Sequence, residues 1–381
     1  MKKIFWFLVF IIIGVFSYSN DMELISEGGN LMPFEISDMS IKKEKLSLKM
    51  LENYDMEVTV NFVFDSPTSK RRTLGFITPK DEWVIDPPSG EEYNPKDIKG
   101  FKTTVNGKDV KINITRANKF MNKGLFTSDV EKEYKDNYSK SYAYYFEADF
   151  KKGENIVEHR YIYRGISSTF SKRDYSYVLT TISSWKNKKV DDFEMILYMK
   201  PEILSLPYTF WKNEQPIKWE IVGKGKIVFI DKSKINGYPS KVFARVENGY
   251  VRYKTKDFSP DKDFYLSVPM RGAFEFIPEN LRINGYLFRD KLTNMGMGLT
   301  HPIDKKWFEK LSDYELEIMR NYPYAISGYE FSRDDLKKYF EQFFWYNPVG
   351  KVEVDEDLYV TNYKDIINIV NEILEKRGNV K

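Results

Sequence analysis

Arg320 and Asn321 stand just ahead of Tyr324 and Tyr329, and Trp345-Tyr346 follows in the same stretch, residues 320–348. These are the side chains a carbohydrate or carboxylate site uses. A guanidinium grips a carboxylate through its fork, an amide both donates and accepts, and aromatic faces stack on sugar rings. The same residues can equally hold a small domain together. Arg320 then pairs inside the unit, with Asp334, Asp335 or Glu341, and Asn321 bonds a helix end. Trp345 and Tyr346 then close a small core that needs large apolar anchors.

Other chemistry is poorly supplied. Cysteine is absent, which removes disulfides, thiolate metal sites and cysteine nucleophiles. The two histidines, His159 and His301, have no placed nucleophile or carboxylate beside them and read as structural. Asp191-Asp192 and Asp261-x-Asp263 lack the glycine and terminal glutamate of a calcium loop and read as solvated turns. Gly28-Gly29 is a turn, with no phosphate loop after it. Neither a G-x-S-x-G elbow nor an H-E-x-x-H pair occurs. The sequence therefore predicts no catalytic residue, no metal site and no cofactor.

Lys and Arg number 59 against 56 Asp and Glu, a formal +3, so nothing argues for nucleic acid. Lys2 and Lys3 precede an apolar run, residues 4–16, and Ser17-Tyr18-Ser19 offers small residues for cleavage before Asn20. The run is short of the ~20 residues that span a bilayer. Residues 1–19 are thus expected to be a signal peptide, with an uncleaved anchor as the rival. The mature chain is placed in the periplasm or at the cell surface, with no membrane span after cleavage.

Residues 20–275 read as strands. Leu46, Leu48 and Met50 alternate with polar residues, as do Met56, Val58, Val60, Phe62 and Phe64, which predicts two antiparallel strands around a turn at 52–55. Asn106-Gly107 and Asn248-Gly249 each predict a hairpin turn. Further strands are expected at 144–150, 156–163, 177–182, 193–199, 217–222, 226–230 and 264–268. The polar stretch 117–141 reads as an excursion with a short helix at 128–134. No strand alternates with a long helix, so the expected fold is an antiparallel two-sheet β-sandwich.

Residues 276–307 form a junction, and 308–381 change to helical period. Ser312 and Glu315 form a capping box, Gly328 stops the first helix, and Pro323 inside it predicts a kink. Ser332 to Asp335 repeats the start signal, and Leu336, Tyr339, Phe340 and Phe343 share one face. After an acidic linker at 352–357, Asn362 caps a third helix with the stripe Ile366, Ile369, Val370, Ile373 and Leu374, closed by Gly378. So small a unit is expected to lean on the β part or on a partner.

Order and motif together suggest two resemblances. The segments 20–34, 105–108 (VNGK), 159–163 (HRYIY), 177–188 and 257–268 resemble an uncharacterised family of secreted bacterial β-rich domains, which implies an all-β exported fold. Residues 308–376 resemble the YARHG domain of exported bacterial proteins. Arg320-Asn321, Tyr324-Ala325, Gly328-Tyr329 with Phe331, Trp345-Tyr346 with Pro348, and Asn368-Ile369 match its pattern. Ile326-Ser327 replaces the Arg-His pair. The resemblance implies extracellular binding at the cell wall, with Arg320, Asn321, Tyr324, Tyr329, Trp345 and Tyr346 as ligand-binding candidates. The sequence thus points to an exported, non-enzymatic cell-envelope protein, a binding or adaptor module for peptidoglycan, glycan or another envelope protein. The alternatives are a structural spacer of an envelope assembly, or a hydrolase working with two carboxylates alone.

Overall fold

The computed structural model describes residues 31–34, 37–77, 98–120, 142–167, 171–230, 240–269, 305–343, 346, 348–354 and 363–378. The leader, the helix expected at 128–134, residues 276–304 of the junction, His301, Trp345 and Asn362 lie outside them.

Fifteen strands are found among the described residues. They are β1 (Met32–Pro33), β2 (Ser40–Met50), β3 (Asp55–Ser66), β4 (Lys70–Ile77), β5 (Ile98–Val105), β6 (Lys108–Asp109), β7 (Asn113–Arg116) and β8 (Tyr142–Phe150). Then come β9 (Gly153–Arg164), β10 (Ser171–Tyr177), β11 (Val190–Tyr198), β12 (Ile203–Pro207), β13 (Glu220–Ile230), β14 (Lys241–Phe258) and β15 (Phe264–Pro269). A four-stranded sheet runs β1-β4-β8-β7. The larger sheet runs β10-β15-β12-β14-β11-β2-β3-β9-β5-β6, with β13 added on β14. The inward residues of both sheets share one core, with Leu74, Phe146 and Phe150 from the small sheet meeting Phe62, Phe64 and Tyr161 from the large one. The alternation that predicts β2 and β3 holds residue for residue: Leu46 pairs Val60 and Leu48 pairs Val58, all fully buried.

Among the described strands the sandwich is antiparallel except at one place. β2 and β11 pair in parallel, Leu46 beside Met195. The junction is clamped by Asn187, whose Oδ1 accepts from the Ile41 amide at 3.2 Å while its Nδ2 donates to the Ile41 carbonyl at 3.1 Å.

The two Asn-Gly pairs behave differently. Asn106 and Gly107 have φ of 50° and 76°, and they turn β5 into β6 as expected. Asn248-Gly249 makes no hairpin; β14 passes straight through it. Gly249 stands opposite Gly223 of β13, and a Cβ on Gly249 would meet the Val222 carbonyl at 1.9 Å. The glycines serve close strand approach, and a bulge at Glu247 bends the strand one residue earlier. Two further expectations change. The strands expected at 217–222 and 226–230 are one strand, β13. The one expected at 177–182 ends at Tyr177 and gives way to a 3-10 helix at Thr180–Ser184. Asp263 stops the ladder there by accepting from the Leu179 and Thr180 amides at 2.8 and 2.9 Å.

The C-terminal part holds four helices among the described residues: α1 (Lys305–Phe308), α2 (Asp313–Ser327), α3 (Asp334–Glu341) and α4 (Tyr363–Lys376). Phe308, Leu316, Met319, Phe331, Phe340, Tyr346, Val370 and Leu374 make their own core. The capping box forms as expected. The Glu315 amide donates to Ser312 Oγ at 3.3 Å and the Ser312 amide donates to the Glu315 carboxylate at 2.8 Å. That bonding holds the Glu315 carboxyl below its usual range. Gly328 closes α2 at φ 90°, and α2 runs unbroken through Pro323. Ser312→Ala should cost about 1 kcal/mol, read as a lower urea midpoint at unchanged slope. The start signal at Ser332 is not used. Arg333 occupies the cap of α3 without a side-chain bond to a backbone amide of the helix, and it forks instead onto the Asp335 carboxylate in its first turn.

Candidate functional site

The predicted binding residues that can be placed belong to α2 and the turn after it. Glu317 organises them. Its Oε1 accepts from Arg320 at 2.7 Å, its Oε2 from Arg333 at 2.8 Å, and its carbonyl from the Asn321 side chain at 2.8 Å. Arg320 also reaches Asn371 of α4 at 3.3 Å. Arg320 and Asn321 therefore knit α2 to its neighbours, and Arg320's partners are Glu317 and Asn371 rather than Asp334, Asp335 or Glu341. The Arg333 fork holds the Asp335 carboxyl down to about 2. Glu317 and Arg333 were not singled out in the sequence, although Glu317 stands three residues before Arg320, the spacing at which helical side chains meet.

Tyr346 is 2% exposed and packs in the helical core. Its hydroxyl donates to the Tyr329 carbonyl at 2.9 Å, and burial pushes its pKa up. Tyr324 and Tyr329 are half-buried neighbours, ring centroids 6.0 Å apart and nearly edge to face. The exposed Lys351 lies over the Tyr329 ring at 4.6 Å and donates to the Glu330 carbonyl at 2.6 Å. Of the six candidates, Tyr324 and Tyr329 thus form an accessible pair with a cation beside it. Arg320 is partly exposed yet engaged, and Tyr346 is inside. Ile326 and Ser327 are buried as well, with Ser327 Oγ donating to the Pro323 carbonyl at 2.9 Å. No charge can be offered from those two positions.

The helical unit leans on the large sheet. Arg245 of β14, 5% exposed, donates from Nη1 to the Tyr346 carbonyl and from Nη2 to Glu247 at 3.2 Å. Ile203, its cross-strand neighbour on β12, packs against the helical core. The tyrosine pair is therefore tied through Tyr346 to the β part.

Residues 295–368 match the YARHG domain. The match begins before the expected 308 and covers the Glu317 network, the tyrosine pair and Tyr346, so the helical part is called the YARHG unit below. No curated protein matches the chain. Among solved structures, a putative nutrient binding protein from Legionella pneumophila is 18% identical, with a TM-score of 0.55 over 93% of this chain and 100% of that one. That likeness shows the fold, all-β part and helical part together. Baculovirus P35 overlaps 61% of this chain and 97% of its own, at 9% identity and a TM-score of 0.25, too low to carry a fold argument.

Buried polar residues elsewhere serve the fold. Glu202, 8% exposed, accepts from Tyr54 at 2.7 Å and from Lys172 at 3.4 Å, and Asp55 pairs with Lys99 at 3.5 Å. Among the described residues no group of three acids or histidines is placed to hold a metal. No described helix is long and apolar enough to cross a membrane.

Proposed function

We propose that this is an exported, non-catalytic binding or adaptor protein of the cell envelope, in the periplasm or at the cell surface. Its YARHG unit makes the contact, with peptidoglycan, another glycan or an envelope protein. The observation that carries this reading is the half-open Tyr324–Tyr329 pair beside Lys351, inside the segment that matches the YARHG domain. Two ring faces and an ammonium suit a sugar ring bearing an anionic or hydroxyl group. The fold shared with a putative nutrient binding protein agrees with a binding role.

Tyr324→Ala with Tyr329→Ala should reduce retention of the full chain on purified cell wall at least tenfold while leaving far-UV circular dichroism unchanged. Undiminished retention rejects the tyrosine pair as the binder. A purely structural spacer is the second reading, and it is favoured by the engagement of Arg320, Asn321 and Tyr346 within the unit. It gains if neither form of the protein is retained.

A further inference from the structure

We propose that the open outer face of β14, β11 and β2 binds an acidic polysaccharide chain. The YARHG unit meets the outer face of β14 at Arg245, beside Ile203. Beyond the bulge, the outward residues of β14 are Arg252, Lys254 and Lys256, set against Ile196, Glu194 and Asp192 of β11. On the other side of β11 stand Lys45 and Lys43, with Lys49 further along β2. All five lysines are exposed, while Glu194 and Asp192 are half-buried between them. Lys45 pairs with Glu194 at 3.5 Å and Lys256 with Asp192 at 3.0 Å. Lys43, Lys49 and Lys254 have no ion-pair partner among the described residues. The Lys256 hydrogen bond, with Lys254 and Lys43 adding to the field, holds the Asp192 carboxyl below its usual range. The excess of positive charge is local, because the whole chain is close to balanced.

The pattern selects among polyanions. Two columns of cations stand two strands apart, about 10 Å, with a column of carboxylates between them. A polymer charged at every unit would meet those carboxylates and be repelled. One whose charges are spaced out can bridge the two lysine columns. It can also offer hydroxyls to Asp192 and Glu194 and to Ser47, Thr59 and Asn61, the half-buried polar residues next on the same face. Acidic polysaccharides with a carboxylate on every second sugar have that character. The exposed Tyr198, 5.1 Å from Tyr250 and beside Lys49 at one end of the face, can stack on a sugar ring. The carboxylate column opposes the closely spaced phosphates of DNA, and sheet twist makes the face a poor match to a planar bilayer.

The test measures binding of the full chain to hyaluronate, which carries one carboxylate per disaccharide, with neutral dextran, single-stranded DNA and anionic lipid vesicles in parallel, across salt concentrations. The expected result is salt-sensitive binding to hyaluronate and none to dextran. The triple variant Lys43→Glu, Lys49→Glu, Lys254→Glu should bind at least tenfold more weakly, with a shallower salt slope. Its thermal unfolding is followed alongside, and Lys43→Gln with Lys254→Gln, a milder change, should still weaken binding severalfold. Unchanged affinity in a folded variant overturns the proposal. So does equal binding of dextran, or tighter binding of DNA or vesicles than of hyaluronate. Asp192→Asn with Glu194→Gln should raise the affinity for DNA by removing the repelling column; no change there overturns the charge-spacing argument.

Discussion

As pH falls from 6.5 to about 4, the β-sandwich should lose about 3 kcal/mol of stability through one residue, His159. Its ring is 1% exposed, ringed by Phe62 at 5.9 Å, Phe101 at 5.5 Å and Tyr161 at 6.4 Å, and neither nitrogen has a partner among the described residues. Burial alone depresses its pKa from 6.5 to about 4. The folded chain keeps the ring neutral in that window, whereas the unfolded chain takes up the proton. Stability from this group is complete above pH 6.5, falls through the window, and levels off once the folded form also protonates. Urea unfolding at pH 7, 5 and 4 measures the loss, and His159→Phe should flatten it. Equal losses in the two proteins would refute the assignment.

Arg245→Ala should release the YARHG unit from the sheet. The guanidinium is buried between the Tyr346 carbonyl and Glu247, which also pairs with Lys224 at 2.5 Å. Hydrogen bonds to a buried charge contribute about 1.5–3 kcal/mol each, so loss of the docking energy should be about 2–3 kcal/mol. Burial lowers the pKa of Arg245, a sign of how little solvent reaches it. Hydrogen exchange should speed up across α2 and α4 and remain slow in β2 and β3. Arg245→Lys should restore part of the protection, because an ammonium reaches one acceptor but cannot fork to two. Protection unchanged in Arg245→Ala would show that Ile203 and the apolar contacts suffice.

The contrast between the two Asn-Gly pairs shows what sequence could and could not reveal. Local pattern predicts β2, β3, the Asn106 turn, the Ser312 box and the Gly328 stop, because each depends on residues within a few positions. The same dipeptide at Asn248 fails as a signal, since its role is set by Gly223 on a neighbouring strand. The parallel pairing of β2 with β11 and the docking of Arg245 on Tyr346 are equally non-local. In the candidate site, residue types single out the segment 320–348 but not which of its side chains remain available. Glu317 engages Arg320 and Asn321, Tyr346 turns inward, and only the contacts of the folded unit reveal the pairing of Tyr324 with Tyr329.

The parallel pair also sets an order of events in time. The Asn187 clamp lies 146 positions after Ile41, the backbone it grips. Until that much chain has emerged, β2 has a hairpin partner on one side and an unprotected edge on the other. Closing so long a loop is slow relative to forming hairpins. During synthesis β2 therefore keeps an open edge until β11 arrives, and Asn187→Ala should slow refolding more than it lowers final stability.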